Sequence, residues 1–326
     1  MVKFVHTVAI TGASGYIGKH LVAQLRQLGD VRIKVLSRSN RRLTDQIGYG
    51  AGVEVTVGDL HLPASLHGFL EPDCTVVHLA YLQSGGEAEN LRATATLVEA
   101  CKSAGVRRLI HCSTAAVVGR TSDDTVTEDT PCKPYSEYGI TKLKIEQAIL
   151  EACESGFDVV ILRPTSVFGP EGGSLKKLVA DLIARKNFRN YLKSCLFGKR
   201  RMNLVHVDNV VAAIIFTIRY KTSFGGAIFI VSEDDNPKNN FAHVEQFLIR
   251  KLNAEVYQLA PVSLPLELLA LLLKVLGRNN LNPRCNYDPR KLLELGFQRP
   301  ADFEIGLENY ADWYLSANNT TKQDVN

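Results

Sequence analysis

Short runs of β-branched and aliphatic residues alternate with helically spaced apolar positions through the first half of the chain. Val5–Ile10 predicts a buried strand, and Ile17–Leu28, with apolar residues at helical spacing, predicts a helix. The same alternation predicts strands at Arg32–Leu36, Glu54–Val57, Thr75–Leu79, Arg108–Cys112 and Val159–Leu162, with helices over Ala88–Ala104 and Glu137–Ser155. Strand and helix in regular turn require right-handed crossovers. The pattern therefore predicts an α/β fold, a Rossmann-type doubly wound parallel sheet with helices on both faces.

After Gly169 the alternation fails. Glu171–Lys199 reads as a largely helical insertion rich in Lys and Arg. Asn203–Val207 and Ala227–Val231 read as strands flanking a helix over Val210–Thr217, and Val244–Leu252 as a further helix. This divides the chain into a dinucleotide-binding domain over 1–169, with 203–232 returning to it, and a smaller mixed α/β substrate domain over 170–202 and 233–315. Residues 316–326 form a polar tail expected to be disordered. The leucine-rich stretch Leu264–Leu276 is interrupted by Glu267 and Lys274, too short and too charged to span a bilayer. It is either a core helix or the lining of an apolar pocket.

Composition changes this picture little. Apolar residues make up 45% and charged residues 22%, which is ordinary for a globular protein. A net charge of +4 suits an anionic small ligand at least as well as nucleic acid. The cysteines are Cys74, Cys101, Cys112, Cys132, Cys153, Cys195 and Cys285, an odd number without a C-x-x-C pair. With no signal-peptide pattern at the N-terminus, reduced thiols in a cytoplasmic protein are expected. No metal site, membrane attachment or nucleic-acid partner is expected.

Chemistry enters with the glycines. Thr11-Gly12-Ala13-Ser14-Gly15-Tyr16-Ile17-Gly18 joins the first strand to the first helix. Gly12 permits a tight turn, Gly15 lets a diphosphate approach the backbone, and Gly18 allows close helix–strand packing, with Tyr16 and Ile17 counted among the expected cofactor-binding residues. The diphosphate would then meet the free N–H groups of the helix start. A plain glycine-rich turn is the alternative. The second strand ends in Ser37-Arg38, followed by Arg41 and Arg42, with no carboxylate before Asp45. A carboxylate here accepts from a ribose 2′-hydroxyl, whereas a guanidinium accommodates a 2′-phosphate. NADP is thus favoured over NAD, a solvated basic loop being the alternative.

Tyr138 and Lys142 stand four residues apart on a predicted helix, which puts phenol and ammonium on one face. A free phenol titrates near pH 10, and a neighbouring ammonium favours the phenolate, so the pair can move a proton near neutral pH. Tyr135 has Gly139 at the matching position and cannot form such a pair.

In order and spacing these segments resemble the extended branch of the short-chain dehydrogenase/reductase superfamily, the NAD-dependent epimerase/dehydratase (nucleotide-sugar) family. The resemblance runs along nearly the whole chain. It includes Gly58-Asp59-Leu60, His78-Leu79-Ala80, Asn90, Ser113-Thr114 through Gly119, Tyr138 to Lys142, Arg163-Pro164, Val167-Phe168-Gly169, His206-Val207-Asp208, and Gly306-Leu307 with Trp313-Tyr314. It implies that Asp59, with Leu60, contacts the adenine and that Leu79, Ala80 and Tyr81 flank the ribose. Pro164 and Val167 would complete the cofactor site, and Asn90 would order the helix beside it. Asp59 as a turn former and Asn90 as a helix cap are the alternatives.

The family's catalytic hydroxyl falls on Thr114, with Ser113 as the alternative, and Lys142 would also hold the nicotinamide ribose. Ser166 and Arg201 would contact substrate, although the family more often has Asn at the first position and Arg where this chain has Met202. His206 reads as a structural residue in an apolar strand. Dehydratases of the family carry an Asp-Glu pair after the catalytic Thr; Ala115 and Ala116 stand there, which excludes that chemistry. The resemblance implies an oxidoreductase acting on a nucleoside-diphosphate sugar as a 4-ketoreductase or C4-epimerase, and a homodimer built through the helices at Ala88–Ala104 and Glu137–Ser155. Two alternatives remain, a reductase of a steroid- or flavonoid-like ketone and a non-catalytic NADP-sensing regulator.

Overall fold

In the computed structural model, residues 6–39, 52–153, 157–185, 187–276 and 282–323 are described, with side chains to residue 317. Two units emerge. The first comprises Met1–Gly119, Pro134–Pro164 and Val210–Phe229, and the second Arg120–Lys133, Thr165–Asn209 and Ile230–Asn326.

The first unit follows the predicted alternation: β1 (Thr7–Thr11), α1 (Tyr16–Leu28), β2 (Arg32–Ser37), β3 (Val53–Val57), β4 (Thr75–His78), α2 (Gly86–Ala104) and β5 (Arg108–Cys112). After β6 (Thr125–Val126) of the second unit come α3 (Glu137–Cys153) and β7 (Asp158–Pro164). Strands β1, β2, β3, β4, β5 and β7 pair in parallel. The seven-stranded sheet runs β10-β7-β5-β4-β1-β2-β3, with β10 at Ala227–Val231. Order reverses between β1 and β4, and ligands bind at such switch points, beyond the carboxyl ends of the strands. β4 and β5 are buried at every residue, whereas edge strand β3 is partly exposed. On α1 the buried residues Gly18, Leu21, Val22 and Leu25 keep helical spacing, and Gly29 ends the helix at φ +66°. Leu66, Phe69, Leu97, Leu109, Ile145 and Ile149 are at the centre of the core.

The second unit contains β8 (Ser166–Phe168), α4 (Lys176–Ile183), α5 (Asn187–Phe197) and β9 (Leu204–His206). α6 (Val207–Arg219) leads back to the first unit. Then follow α7 (Phe241–Lys251), α8 (Leu266–Val275), β11 (Asn286–Tyr287), α9 (Arg290–Glu294) and α10 (Phe303–Gln323). Its core gathers Phe168, Leu204, Val244, Leu248, Phe303 and Tyr310.

Three expectations need correction. Residues 120–133 and 165–169, assigned to the first domain, group with the second. There β6 pairs with β11, and β8 pairs with β9, which was expected to return to the main sheet. The tail is helical as far as Gln323 instead of disordered from 316. Burial of Phe303, Leu307, Tyr310 and Ala311 nucleates α10, and each further turn then needs only its own hydrogen bonds. The leucine-rich helix α8 is core only along Leu269 and Leu273, while Leu268, Leu271, Leu272 and Val275 are exposed.

Candidate active site

At the carboxyl end of β1 the chain turns through Gly12 at φ +74°. A Cβ there would also stand 2.6 Å from the backbone nitrogen of Ala80, so only glycine lets β1 and the segment after β4 approach this closely. Gly18 serves a different contact from the predicted helix–strand packing. Its Cβ would meet the Gly12 carbonyl at 2.3 Å, so it folds the first turn of α1 onto the loop itself. α1 begins at an N-cap Gly15 with no side-chain cap and no acidic residue in its first turn. The dipole of such a helix start favours an anion.

The loop opens into a cleft of about 780 Å³ lined by residues of four segments, 11–15, 36–39, 58–60 and 79–83. Of the sequence-predicted cofactor residues, Gly12, Gly15, Ser37, Arg38, Asp59, Leu60, Leu79, Ala80 and Tyr81 line it. Arg38 is exposed, and Asp59 is the only carboxylate among the described lining residues. Asp59 also accepts from the His61 N–H at 2.9 Å, so it forms a turn and faces the cleft at once. Arg41, Arg42 and Asp45 lie outside the described residues. Tyr16 and Ile17 open α1 without lining the cleft, and the Tyr16 ring packs edge-on against His20.

Asn90 proves not to be a cap. α2 begins four residues earlier, and Asn90 is buried within it. Its amide donates to the carbonyls of Leu82 and Gly86, and its oxygen accepts from the Leu82 N–H at 2.9 Å. The clamp fixes the backbone of a cleft-lining residue.

Thr114 caps the short turn Ala115–Val117, its hydroxyl accepting from the Ala116 N–H at 3.2 Å. α3 lies directly on that turn, because a Cβ on Gly139 would stand 2.8 Å from the Ala116 carbonyl oxygen. This approach brings Tyr138 to Thr114. Tyr138 keeps 43% of its surface exposed, and its ring meets Tyr81 edge-on at 5.0 Å. Its pKa is pushed up to about 12, by burial first and by the Cys112 thiol, against a lowering by the Thr114 hydroxyl. The expected lowering by Lys142 is not found among the protein's own groups. Lys142 is buried at 3% exposure and donates to the Cys112 carbonyl at 2.7 Å, with His111 Nε2 at 3.3 Å and the Tyr81 ring at 5.9 Å. Burial pushes its pKa down to about 8, opposed by Cys112 and Glu146. Beneath it, buried Glu146 holds Arg163 through two guanidinium nitrogens.

Ser113 is buried too, and its hydroxyl has no hydrogen-bond partner among the described residues. Pro164 ends β7 and does not line the cleft. Ser166, Val167 and Arg201 belong to the second unit. Ser166 is exposed on β8, and Arg201 donates to the Asn236 carbonyl at 2.8 Å. His206 packs on Phe168 and fills the space a Cβ at Gly306 would take, as a structural residue does.

Sequence reasoning missed Thr11, Ser14, Leu36, Ser39, Gly58, Leu82 and Gln83 in the lining, and His78 and His111 behind the lysine. The histidines are register partners on β4 and β5. That β4 and β5 are neighbours is a fact of topology, and neither apolar run announces it. Among the described residues no group of His, Cys, Asp or Glu is placed to hold a metal ion.

Comparison with known proteins places the fold and the family. The model of the NAD dependent epimerase/dehydratase family matches residues 8–231. The UDP-glucose 4-epimerase of Vibrio cholerae is 27% identical, the match covering 97% of this chain and 98% of the relative. The sterol-4-alpha-carboxylate 3-dehydrogenase, decarboxylating, of Mus musculus is 29% identical over 69% of this chain and 64% of its own. Among solved structures, the UDP-glucuronic acid 4-epimerase of Bacillus cereus in complex with NAD superposes with a TM-score of 0.72 at 20% identity, covering 94% of this chain and 96% of that one.

Proposed function

The chain belongs to the NAD dependent epimerase/dehydratase family, and from that membership we propose that it is an NAD(P)-dependent oxidoreductase acting on a nucleoside-diphosphate sugar, as a 4-ketoreductase or C4-epimerase. One observation carries the reading. Tyr81 lines the cleft of the glycine loop, and both Tyr138 and Lys142 pack against its ring. The proton-transfer pair thus adjoins the end of a cavity whose glycines, uncapped helix start and volume fit a dinucleotide.

A bound nicotinamide supplies the hydride acceptor or donor. The chain's own groups do the rest. The α1 N-terminus and the backbone at Gly12 and Gly15 bind the diphosphate, and Leu79 and Ala80 border the ribose. Lys142 holds its ammonium at the nicotinamide end. The Thr114 hydroxyl hydrogen-bonds the substrate oxygen that gains or loses carbonyl character. Tyr138 moves the proton at that oxygen through its Oη. A phenol at about 12 holds its proton at neutral pH, which suits the reductive direction, in which it donates. Ala115 and Ala116 carry no acid or base, so dehydration is left out of the proposal.

Arg38 favours NADP, being an exposed guanidinium in a loop whose sequence has no carboxylate before Asp45. The sterol dehydrogenase relative supports a second reading, reduction of a non-sugar ketone. All seven cysteines are free and no helix among the described residues can cross a membrane, which fits a cytoplasmic enzyme. We place a homodimer on the faces of α2 and α3, to be checked by light scattering.

Incubation with NADPH and UDP- or dTDP-4-keto sugars, followed at ~340 nm where reduced nicotinamide absorbs, tests the proposal. Loss of absorbance marks a ketoreductase, and interconversion of UDP-sugars without net change marks an epimerase. Turnover of sterol-like ketones alone would replace the sugar by the second reading. Cofactor binding with no turnover on any panel would reduce the protein to a sensor.

A further inference from the structure

Two buried imidazoles stand behind the Tyr138–Lys142 pair. His78 ends β4 and His111 sits in β5, their rings 5.2 Å apart. His78 Nδ1 lies 2.8 Å from the hydroxyl of Thr11, which lines the cleft, and His111 Nε2 lies 3.3 Å from Lys142 Nζ. None of these four side chains is more than 3% exposed.

An ammonium withdrawn from water stays charged only if its N–H groups find acceptors. Around Lys142 the chain offers the Cys112 carbonyl from β5, the Cys112 thiol, the His111 imidazole with His78 behind it, the Tyr81 ring, and Glu146 one turn along α3. The Glu146 carboxylate is engaged by Arg163, and among the described residues no carboxylate hydrogen-bonds the ammonium. Two acceptors therefore remain, a carbonyl and an imidazole. For Nε2 to accept, His111 must be neutral with its proton on Nδ1. Burial and the facing lysine hold its pKa well below the ordinary imidazole value, so it is neutral at working pH. The His78 backbone also hydrogen-bonds the His111 imidazole, so the lysine is one of two contacts that bear on its tautomer.

We propose that His111 is a positioning residue for the oxidoreductase site: its Nε2, with the Cys112 carbonyl, fixes the Lys142 ammonium and keeps it protonated inside the protein, leaving the third N–H uncommitted. The proposal rests on the functional reading above for its purpose, and on geometry alone for its contact.

The test reads Lys142 directly. Protein labelled with 13Cε-lysine is titrated by NMR, and the Lys142 signal is identified by its loss in Lys142→Arg. The wild-type midpoint is expected near the value of about 8 that burial gives this ammonium. His111→Phe removes the acceptor but keeps a ring, and is expected to lower the midpoint by about one pH unit, since a hydrogen bond to the charged form favours it. His111→Gln, which restores an acceptor oxygen, should return at least half of that shift, a rescue that packing alone would not produce. If the Phe variant does not fold, His111→Met replaces it in the comparison. Equal midpoints in wild type and the apolar variant, or an apolar shift that Gln does not rescue, would overturn the role. A parallel titration of NADPH by nicotinamide fluorescence separates the two levels. Wild type that binds neither NADPH nor NADH refutes the oxidoreductase reading and leaves the lysine contact to stand or fall by its own midpoint.

Discussion

Tyr138 carries its phenol into a setting that raises its pKa to about 12, and that setting keeps the phenol protonated at neutral pH. Tyr138→Phe removes the transferable proton and little else. We expect kcat to fall about 10²- to 10⁴-fold with dinucleotide affinity within about twofold, read by turnover and by fluorescence titration. An unaltered kcat would remove Tyr138 from the chemistry. Arg38→Asp sets a carboxylate where a 2′-phosphate would lie. It should weaken NADPH binding about 10- to 100-fold, as loss of a charge-assisted hydrogen bond does, and change NADH binding much less. Equal losses would end the NADP preference. At this scale the sequence singles out the candidate side chains, since Tyr138, Lys142 and Thr114 stand out by spacing and register. Their pKa values are not legible there, because a four-residue spacing says nothing of how deeply each group is buried. It let the lysine lower the phenol, whereas burial raises the one and lowers the other.

Helix α3 does more than carry the pair, since its seat on the Thr114 turn depends on one missing methyl group. Gly139→Ala would put a Cβ 2.8 Å from the Ala116 carbonyl oxygen, and backbone must move to receive it. The expected result is destabilisation by about 1–3 kcal/mol. Turnover should also slow by about 10-fold or more, because phenol and hydroxyl are then misplaced against each other. Urea unfolding and steady-state kinetics would measure the two, and a fully active variant would show that this contact sets no geometry. Most elements were legible in the hydrophobic periodicity, with ends displaced by a few residues. α2 starts earlier than expected because Gly85-Gly86 hides its first turn, and β6 and β11 are too short to leave a pattern. The leucines of α8 mislead in another way. Helical spacing promises a buried stripe, but here only Leu269 and Leu273 are covered.

Across the molecule, order among the strands is what the sequence withheld, and with it the meeting of His78 and His111. Both imidazoles are buried and neutral, one with its pKa pushed down to about 3 and the other well below the ordinary value. In the unfolded chain each takes up a proton near pH 6.5. The folded state binds fewer protons below that pH, so the stability these groups contribute is whole above it and is lost as pH falls. Together they should remove about 2.7 kcal/mol per pH unit below pH 6, read by urea unfolding at pH 7, 6 and 5. His111→Phe should halve that share, and an unchanged slope would deny that His111 is buried neutral. Burial sorts the cysteines in the same way. Cys74, Cys101, Cys112 and Cys285 are buried with raised pKa values, whereas Cys132, Cys153 and Cys195 are half-buried. A colorimetric thiol assay of the native protein should therefore count three fast-reacting sulfurs and find the other four only in denaturant. Maleimide dyes would settle on natural handles at Cys132, Cys153 and Cys195, none of them a residue of the proposed Thr114, Tyr138 and Lys142 set, giving spectroscopists labelled protein without a single engineered residue.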